Sequence, residues 1–363
     1  MESLFRKNKI TAFTGTAKLI SPSTVAIDGS EGSAELDAGN ILIATGSRSA
    51  SLPSLDFDGE VIISSTEALA LNSVPEHLVV IGAGYIGLEM GSVWSRLGAQ
   101  VTVIEALDRI LPGMDQDLAS ESQKLFTKQG LRFKLSTQFT NVTSENGAAT
   151  VHLDSGESLQ GDKVLVAVGR KPNTAELGLE ALGVMLDDRG GIRVDSHFAT
   201  NIPGVFALGD VIGGPMLAHK AEAEGVVFAE SLVNGRGHVN YDAIPGVVYT
   251  HPEIAAVGKT EQQLTDNGAP FRRGVFTYRA NGRARAADQN DGFAKLLVDK
   301  ESSLILGAHI LGANAGELIN EVTLAMNAGR TADDLSRSCH AHPTFGEVLK
   351  EAALAACGRG LHN

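Results

Sequence analysis

The alternation of apolar and polar residues is most informative between residues 78 and 105. Residues 78–81 form an apolar run that is typical of a buried strand. The residues that follow have a helical pattern, and its apolar face comprises Ile86, Met90, Val93, Trp94 and Leu97. A second apolar run, residues 101–104, comes after Gly98. A strand, a helix and a second strand in this order predict a βαβ unit.

Three glycines, Gly82, Gly84 and Gly87, separate the first strand from the helix at GxGxxG spacing. In a nucleotide-binding turn the first permits the tight bend, the second lets the backbone approach a pyrophosphate, and the third lets helix and strand pack closely. Glu105 ends the second strand eighteen residues after Gly87, near the offset of about 20 at which an acid binds the ribose 2′-hydroxyl. Because a carboxylate repels a 2′-phosphate, we predict NAD rather than NADP. The alternative is a glycine-rich turn without a ligand.

Three further apolar runs, residues 40–46, 163–169 and 200–210, end in or next to glycine and predict buried parallel strands. Gly169, at the end of the second run, is a candidate cofactor-binding residue. Asp210 closes the third run, where open α/β sheets bind nucleotides. A loop or helix-capping aspartate explains Asp210 equally well at this point. Residues 215–234 then predict a helix rich in small residues.

The remaining segments predict a meander and a second type of domain. A helix near residues 117–129 and a strand at 131–135 precede an antiparallel meander over 141–159, which has a turn at 145–147. Beyond residue 241 strands are grouped before helices, which favours an α+β domain. Its predicted strands are residues 247–250, 274–278, 293–299 and 304–311, and its predicted helices are residues 316–328, 333–338 and 346–356.

Composition limits the classes of partner. A chain of 363 residues is expected to form two or three domains. Its net charge of −13 argues against nucleic acid or an anionic membrane as the main partner. We find no apolar run of membrane-spanning length and no signal peptide, and the two cysteines, Cys339 and Cys357, form no CxxC motif. These features predict a reducing, cytoplasmic location.

The segment CHAHPTFGE, residues 339–347, brings two histidines and a carboxylate together. Pro343 disfavours helix at His342, and Glu347 is placed to accept a hydrogen bond from the His342 ring. Such a pair is typical of a general acid/base that moves protons to and from a thiol. Two alternatives remain open: a loop histidine satisfied by backbone, and a metal site with His340 and Cys339. The metal site lacks a fourth local ligand, so we predict no metal.

Taken together, the chain resembles the flavoprotein pyridine-nucleotide-disulfide oxidoreductases over essentially all of its residues. The motifs that carry the resemblance are ILIATGS (41–47), VVIGAGYIGLE (79–89), VAVGRKPNT (166–174), FALGD (206–210), GPMLAHKAEAEG (214–225), YTHPEIAAVG (249–258) and CHAHPTFGE (339–347). Within the family, MLAHKA with CHAHPT favours the members that oxidise dihydrolipoamide. The implied fold class is α/β, with a Rossmann-type NAD domain inserted in a partial FAD domain and followed by an α+β dimerisation domain.

The resemblance implies domain bounds and further site residues. The FAD-domain segments would be residues 1–63 and 175–240, the NAD domain 64–174 and the dimerisation domain 241–363. In the FAD site, Asp210 would bind the ribityl chain, and the backbone of Met216, Leu217, Ala218 and His219 would lie beside the isoalloxazine. Glu89 would lie near the nicotinamide of NAD.

The implied activity is oxidation of dihydrolipoamide by NAD⁺ through a disulfide and FAD. His342, held by Glu347, would be the acid/base and would serve the disulfide of the other subunit of a homodimer. The implied partner is the lipoyl domain of 2-oxoacid dehydrogenase complexes.

One departure from the family affects the expected activity. The family has an earlier GxGxxG for FAD and then a CxxxxC disulfide, whereas this chain has one GxGxxG and both cysteines follow it. We expect a family member that lacks about a hundred N-terminal residues, the size of a βαβ-based lobe. Alone it should bind NADH, hold FAD weakly and turn over little lipoamide. The alternatives are a non-catalytic NAD-binding or dimerisation module, and a related flavin-dependent NAD(P)H reductase or transhydrogenase.

Overall fold

The computed structural model describes residues 2–30, 32–52, 55–145, 147–235 and 237–362. Asn146, within the turn predicted at residues 145–147, lies outside them. The α-helices of the described residues are α1 (Glu2–Lys7), α2 (Ser65–Ala68), α3 (Tyr85–Leu97), α4 (Gln116–Lys128), α5 (Leu179–Leu182), α6 (Ala218–Asn234), α7 (Glu261–Asp266), α8 (Gly282–Ala286), α9 (Ala315–Asn327), α10 (Ala332–Arg337) and α11 (Glu347–Ala356).

The strands of the same residues are β1 (Thr16–Ser21), β2 (Thr24–Gly29), β3 (Gly32–Asp37), β4 (Ile41–Ile43), β5 (Ser47–Ser49), β6 (Ile62–Ile63), β7 (His77–Ile81), β8 (Gln100–Ile104), β9 (Arg132–Lys134), β10 (Phe139–Glu145), β11 (Ala148–Leu153), β12 (Ser158–Gly161), β13 (Lys163–Val166), β14 (Arg170–Pro172), β15 (Val205–Ala207), β16 (Gly246–Val248), β17 (Glu253–Gly258), β18 (Phe271–Thr277), β19 (Phe293–Asp299) and β20 (Ile305–Gly312). Short 3₁₀ helices cover Gly209–Ile212, Tyr241–Ala243 and Tyr278–Ala280.

The chain forms two compact units, each made of two separate segments. The first unit comprises Met1–Arg48 and Arg170–Val239, and the second comprises Ser49–Gly169 and Asn240–Asn363. A central stretch of chain is therefore inserted into the first unit, and this confirms the predicted insertion.

In the first unit, β4 and β15 form a parallel pair in which Ile41 lies opposite Val205. Both residues are buried in one apolar cluster, which confirms the buried parallel strands predicted here. β15 leads directly into the Gly209–Ile212 turn. The antiparallel sheet β1-β2-β3 belongs to the same unit and is largely exposed.

The second unit contains the predicted Rossmann-type sheet, whose strands are all parallel in the order β6-β13-β7-β8-β9. Successive residues of β7 point to opposite faces, as in any strand. Leu78 and Val80 pack in a cluster with residues of α3 and α4, and Val79 and Ile81 in a cluster with residues of the meander β10-β11-β12. Both faces of this sheet are therefore covered, and the buried residues of its central strands β7, β8 and β13 are mostly apolar for that reason.

The compact units divide the chain at residues 48 and 169, whereas the sequence placed divisions at 63 and 174. β6 pairs with β13, so the parallel sheet takes in residues before 64. A two-residue strand is too short for its pattern to be recognised in the sequence. β14 pairs with β5, and residues 170–174 therefore lie in the first unit. The roles assigned to the domains remain predictions.

The rest of the second unit is an antiparallel sheet in the order β16-β17-β20-β19-β18, packed against α9 and α11. β19 covers the residues predicted for it. β17 was not predicted from the sequence. Its sequence, EIAAVG, contains two alanines and ends in glycine, and alanine and glycine are weak strand formers. Pairing with β16 and β20 determines its conformation instead. None of the helices within the described ranges is long and apolar enough to cross a membrane.

Candidate functional site

The GxGxxG turn joins β7 to α3 and has the geometry that its three glycines require. Gly82 has a φ of +105°, and a Cβ there would lie 2.5 Å from the Ala167 carbonyl oxygen. A Cβ on Gly87 would lie 2.0 Å from the Gly82 carbonyl oxygen, so the helix and the turn are in direct contact. At Gly84, by contrast, a Cβ would meet no atom within 4 Å. The space beside Gly84 is open.

The start of α3 can bind an anion. Gly84 is the N-cap and offers no side-chain acceptor to the first N–H groups of the helix, which also lack intrahelical partners. A pyrophosphate requires such donors and a close backbone approach. The turn therefore fits a dinucleotide.

Glu105 lies directly after β8, as predicted, and it is bound to the glycine turn. Its carboxylate is 9% exposed; Oε2 accepts the Ala83 N–H at 2.8 Å and Oε1 accepts the Leu107 N–H at 3.0 Å. Each carboxylate oxygen can accept a second hydrogen bond, so capacity for a ribose hydroxyl remains. The sequence predicted the position of Glu105 but not its hydrogen bond with the glycine turn.

Glu89 and Gly169 both belong to the second unit, Glu89 on α3 and Gly169 just after β13. Glu89 is half-buried on α3, and its Oε1 accepts the Tyr249 N–H at 2.7 Å. Burial raises the pKa of the Glu89 carboxyl, and the Tyr249 N–H opposes this effect. Gly169 has a φ of +129° and is exposed just beyond β13, the strand next to β7. Because parallel neighbours end at one edge of a sheet, Gly169 follows β13 at the same edge at which the glycine turn follows β7.

Asp210 lies in the first unit, and residues with no predicted role hold it. Its Oδ2 accepts the Ser47 hydroxyl at 2.5 Å and lies 4.0 Å from Arg170 Nε. Arg170 also donates to Ser47, to the hydroxyl at 2.7 Å and to the carbonyl oxygen at 2.8 Å. Ser47 and Arg170 lie within the motifs ILIATGS and VAVGRKPNT. Their place in these motifs was the feature of the sequence that could have identified them as site residues.

Residues 216–219 lie at the start of α6, where Leu217 is the N-cap and provides no side-chain hydrogen bond. Met216 and Leu217 are half-buried, whereas Ala218 and His219 are exposed. The start of α6 therefore has no side-chain cap, and the positive end of its helix dipole suits a polar group of the FAD type.

A buried ion pair that the sequence did not predict fixes the turn before α6. Lys220 is 2% exposed and Glu224 is 0% exposed, and they are 3.0 Å apart. Lys220 Nζ also donates to the carbonyl oxygens of Gly209 and Gly213, each at 3.2 Å. Glu224 Oε2 accepts the Gly209 N–H at 2.7 Å. The pair thus holds both ends of the turn that carries Asp210.

His342 and Glu347 form the pair that the sequence predicted. His342 Nδ1 lies 2.9 Å from Glu347 Oε1, and Glu347 Oε2 accepts the Thr344 N–H at 2.9 Å. Burial acts to raise the pKa of the Glu347 carboxyl, but the hydrogen bonds from Thr344 and His342 outweigh it and lower that pKa. The His342 side chain is 77% exposed. Its ring is therefore oriented by the carboxylate and accessible to a substrate.

The neighbouring His340 is engaged elsewhere. Its Nε2 lies 3.1 Å from Glu321 Oε1, and its Nδ1 lies 3.1 Å from the Ser338 carbonyl oxygen. Cys339 is exposed and free. Across the described residues, no group of three or more His, Cys, Asp or Glu side chains could hold a metal ion.

With this geometry established, the chain can be compared with known proteins. Residues 1–225 match the family model described as pyridine nucleotide-disulphide oxidoreductase, and residues 244–353 match the dimerisation domain of that family. The chain belongs to this family. The match confirms the resemblance found in the sequence, and FAD and NAD are the cofactors of the family.

Relatives match the whole chain. It is 49% identical over 370 residues to the mitochondrial dihydrolipoyl dehydrogenase of Dictyostelium discoideum, covering 100% of this chain and 76% of that protein. It is 48% identical over 368 residues to dihydrolipoyl dehydrogenase 1, mitochondrial, of Arabidopsis thaliana, covering 100% of this chain and 73% of the relative. The structure of LpdA from Mycobacterium tuberculosis superposes with a TM-score of 0.90 at 28% identity, covering 97% of this chain and 78% of that one.

Proposed function

We propose that the chain is a dihydrolipoyl dehydrogenase, which oxidises dihydrolipoamide with NAD⁺ through a disulfide and FAD. The observation that carries the proposal is the 49% identity to an enzyme of that name over the full chain. The histidine–glutamate pair and the glycine turn provide the chemistry that such an enzyme requires. FAD, when bound, would supply the two-electron redox chemistry between the dithiol and NAD⁺.

Of the predicted NAD domain, residues 64–174, the part up to Gly169 lies in the second unit, and that part would bind NAD. The Gly82–Gly87 turn would bind the pyrophosphate, and Glu105 would accept the ribose 2′-hydroxyl and exclude a 2′-phosphate. Glu89 and Gly169 would lie beside the nicotinamide.

The first unit would supply part of the FAD site. We propose that Asp210 binds the ribityl chain. The backbone of residues 216–219 would lie along the isoalloxazine.

His342 would be the acid/base. If Nδ1–H donates to Glu347, the lone pair of Nε2 remains to accept a proton from a substrate thiol. The resulting thiolate is the nucleophile in thiol–disulfide exchange. Glu347 would fix this tautomer and stabilise the imidazolium once the proton has moved.

The family's redox disulfide forms between the two cysteines of a CxxxxC motif. The two cysteines of these 363 residues, Cys339 and Cys357, do not have this spacing. We therefore expect the 363-residue polypeptide to bind NADH, to hold FAD weakly and to turn over little lipoamide. Robust lipoamide turnover by the purified, mass-verified chain would contradict this expectation.

The matched dimerisation domain supports a homodimer. In that dimer His342 would serve the disulfide of the partner subunit, and the outer substrate would be the lipoyl domain of a 2-oxoacid dehydrogenase complex. The net charge of −13 disfavours nucleic acid and anionic membranes as partners. The cysteine content favours a reducing compartment such as the cytoplasm, although several relatives are named mitochondrial.

The test is NADH titration of the wild type and of Gly84→Asp. The substitution should fold normally, since φ is −78° at this residue and a Cβ meets no neighbour. A second negative charge in the pyrophosphate site should weaken binding by about 100-fold. Gly39→Asp is a matched control, because Gly39 is exposed and its Cβ position is equally open. Equal NADH affinity of the wild type and Gly84→Asp would refute the NAD site.

A lipoamide assay on a version that contains a CxxxxC segment would separate the alternatives. A non-catalytic module would show no turnover, and a transhydrogenase would transfer hydride without lipoamide.

A further inference from the structure

The connection between β8 and α4, residues 106–114, lies against the glycine turn. Within it, the Leu111 N–H donates to the Ala83 carbonyl oxygen at 2.9 Å, and Ile110 and Leu111 are completely buried. Ala83 also donates its own N–H to Glu105. Ala83, in the middle of the turn, is therefore fixed by two hydrogen bonds. Its carbonyl oxygen accepts from the β8–α4 connection, and its N–H donates to Glu105, the acid proposed to bind the ribose.

Asp115 ends the β8–α4 connection and begins α4. Its carboxylate is 0% exposed. Oδ1 accepts the Asp117 N–H at 3.1 Å, as an N-cap does, and Oδ2 accepts the Glu261 N–H at 3.1 Å. Oδ1 also lies 2.8 Å from the Nζ of Lys295. The position of the connection thus depends on a fully buried carboxylate.

Lys295, on β19, is the cation that this carboxylate contacts. It is 0% exposed, and besides Asp115 it binds Asp117 at 2.9 Å and Glu261 at 2.5 Å. His309 Nε2 lies 4.0 Å from Asp115 Oδ2, and burial lowers the pKa of the His309 ring, which disfavours its charged form.

A second cation, Arg273, faces two of the same carboxylates from the solvent side. It lies 3.5 Å from Asp117 and 3.6 Å from Glu261, and its ion pairs within the described residues do not include Asp115. Arg273 and Lys295 therefore carry the same charge in the same cluster, but they differ in their contact with the end of the β8–α4 connection.

We propose that Lys295 is a positioning residue for the dinucleotide site, acting through Asp115 and the β8–α4 connection on Ala83 of the glycine turn. This inference rests on the proposed NAD site. A buried carboxylate that loses its cation must find water or another donor, and in doing so it shifts the start of α4 and the residues before it. The fraction of molecules with Ala83 in place then falls, and the apparent NADH affinity falls by the same factor.

The experiment is NADH titration of the wild type, Lys295→Met and Arg273→Gln, well below their unfolding temperatures. We expect Lys295→Met to raise the Kd by about tenfold and Arg273→Gln to leave it within about twofold. Hydrogen exchange at the Leu111 amide should accelerate in Lys295→Met alone. The ¹⁵N signals of His342 should stay unchanged in both variants, which a general loss of structure in the second unit would not allow.

Asp115→Asn is the second variant, in case Lys295→Met does not fold. Asparagine is as good an N-cap as aspartate, so this change removes the charge and keeps the helix start. We expect a rise in Kd of about threefold with faster exchange at Leu111. Wild-type NADH binding with unchanged Kd in both variants would overturn the inference and leave the NAD site intact. A wild type that does not bind NADH would overturn the NAD site and the inference with it.

Discussion

Each compact unit contains a fully buried lysine, and the two lysines are held differently. Lys220 contacts one carboxylate, four residues along its own helix, and two carbonyl oxygens. Lys295 contacts three carboxylates, and Asp115 among them is 180 residues away in the sequence.

The difference lies in how much of each cluster can reach solvent. Glu224 is completely buried, so the first unit has no way to hydrate that charge if Lys220 is lost. In the second unit Asp117 is 47% exposed and Glu261 is 22% exposed, and only Asp115 of the three is fully enclosed. The local pair should therefore matter more for stability, and the long-range cluster more for the position of the turn it supports.

Lys220→Met should have the largest effect. It removes the lysine from beside the fully buried Glu224 carboxylate and removes a donor from two carbonyl oxygens, so we expect a loss of about 3–5 kcal/mol in the free energy of unfolding. Urea denaturation followed by circular dichroism measures the loss, and hydrogen exchange along α6 locates it.

The double variant Lys220→Met with Glu224→Leu removes the Glu224 carboxylate as well. It should regain at least half of the lost stability, because an apolar pair of similar volume can replace a buried ion pair. If the free energy of unfolding of Lys220→Met alone lies within about 1 kcal/mol of the wild-type value, the stated difference between the two lysines is wrong.

Lys295→Met should be less destabilising, by roughly 2–3 kcal/mol, since water and Arg273 can still compensate Asp117 and Glu261. The same denaturation experiment applies, with exchange at the amides of α4 as the local measurement. A loss larger than that of Lys220→Met would reverse the order of the two sites.

Glu347→Gln should change chemistry more than stability. The pair with His342 is at the surface, where such pairs contribute about 0–1 kcal/mol. An amide cannot accept from both partners: if its oxygen keeps the Thr344 N–H, its NH₂ group faces Nδ1. We therefore expect the His342 proton to move from Nδ1 to Nε2, which ¹⁵N NMR detects. An unchanged tautomer would show that Glu347 does not orient the ring.

The smallest expected effect is at the pair of His340 and Glu321. The Glu321 carboxylate raises the pKa of His340 above its usual value of about 6.5. The stabilisation is therefore complete below that value and is lost as pH rises through the raised pKa. Glu321→Gln should cost up to about 1 kcal/mol at pH 6 and less at pH 9, measured from urea midpoints. A difference in stability between Glu321→Gln and the wild type that does not decrease as pH rises would contradict this prediction.

Much of the fold could be predicted because the decisive signals are local. The βαβ unit has its strands, helix and glycines within 27 residues, and β19 is one uninterrupted, mostly apolar run. β6 and β17 were missed because pairing with neighbouring strands, rather than their own composition, makes them strands.

The candidate site was predictable to a similar degree. Glu105, His342 and Glu347 lie where motif spacing placed them, and their roles remain proposals. The supporting residues could not be found in this way, because a lysine in a sequence is expected at the surface. Only the folded chain shows that Lys295 and Asp115 meet.

The chain has a single tryptophan, Trp94, and it lies on α3, the helix that starts at the glycine turn. Ten residues of helix separate it from Gly84, a distance of about 15 Å. Indole emits light at wavelengths that reduced nicotinamide absorbs, so NADH bound at the turn would quench this emission by energy transfer. The protein thus contains its own optical reporter of dinucleotide occupancy, without any attached dye.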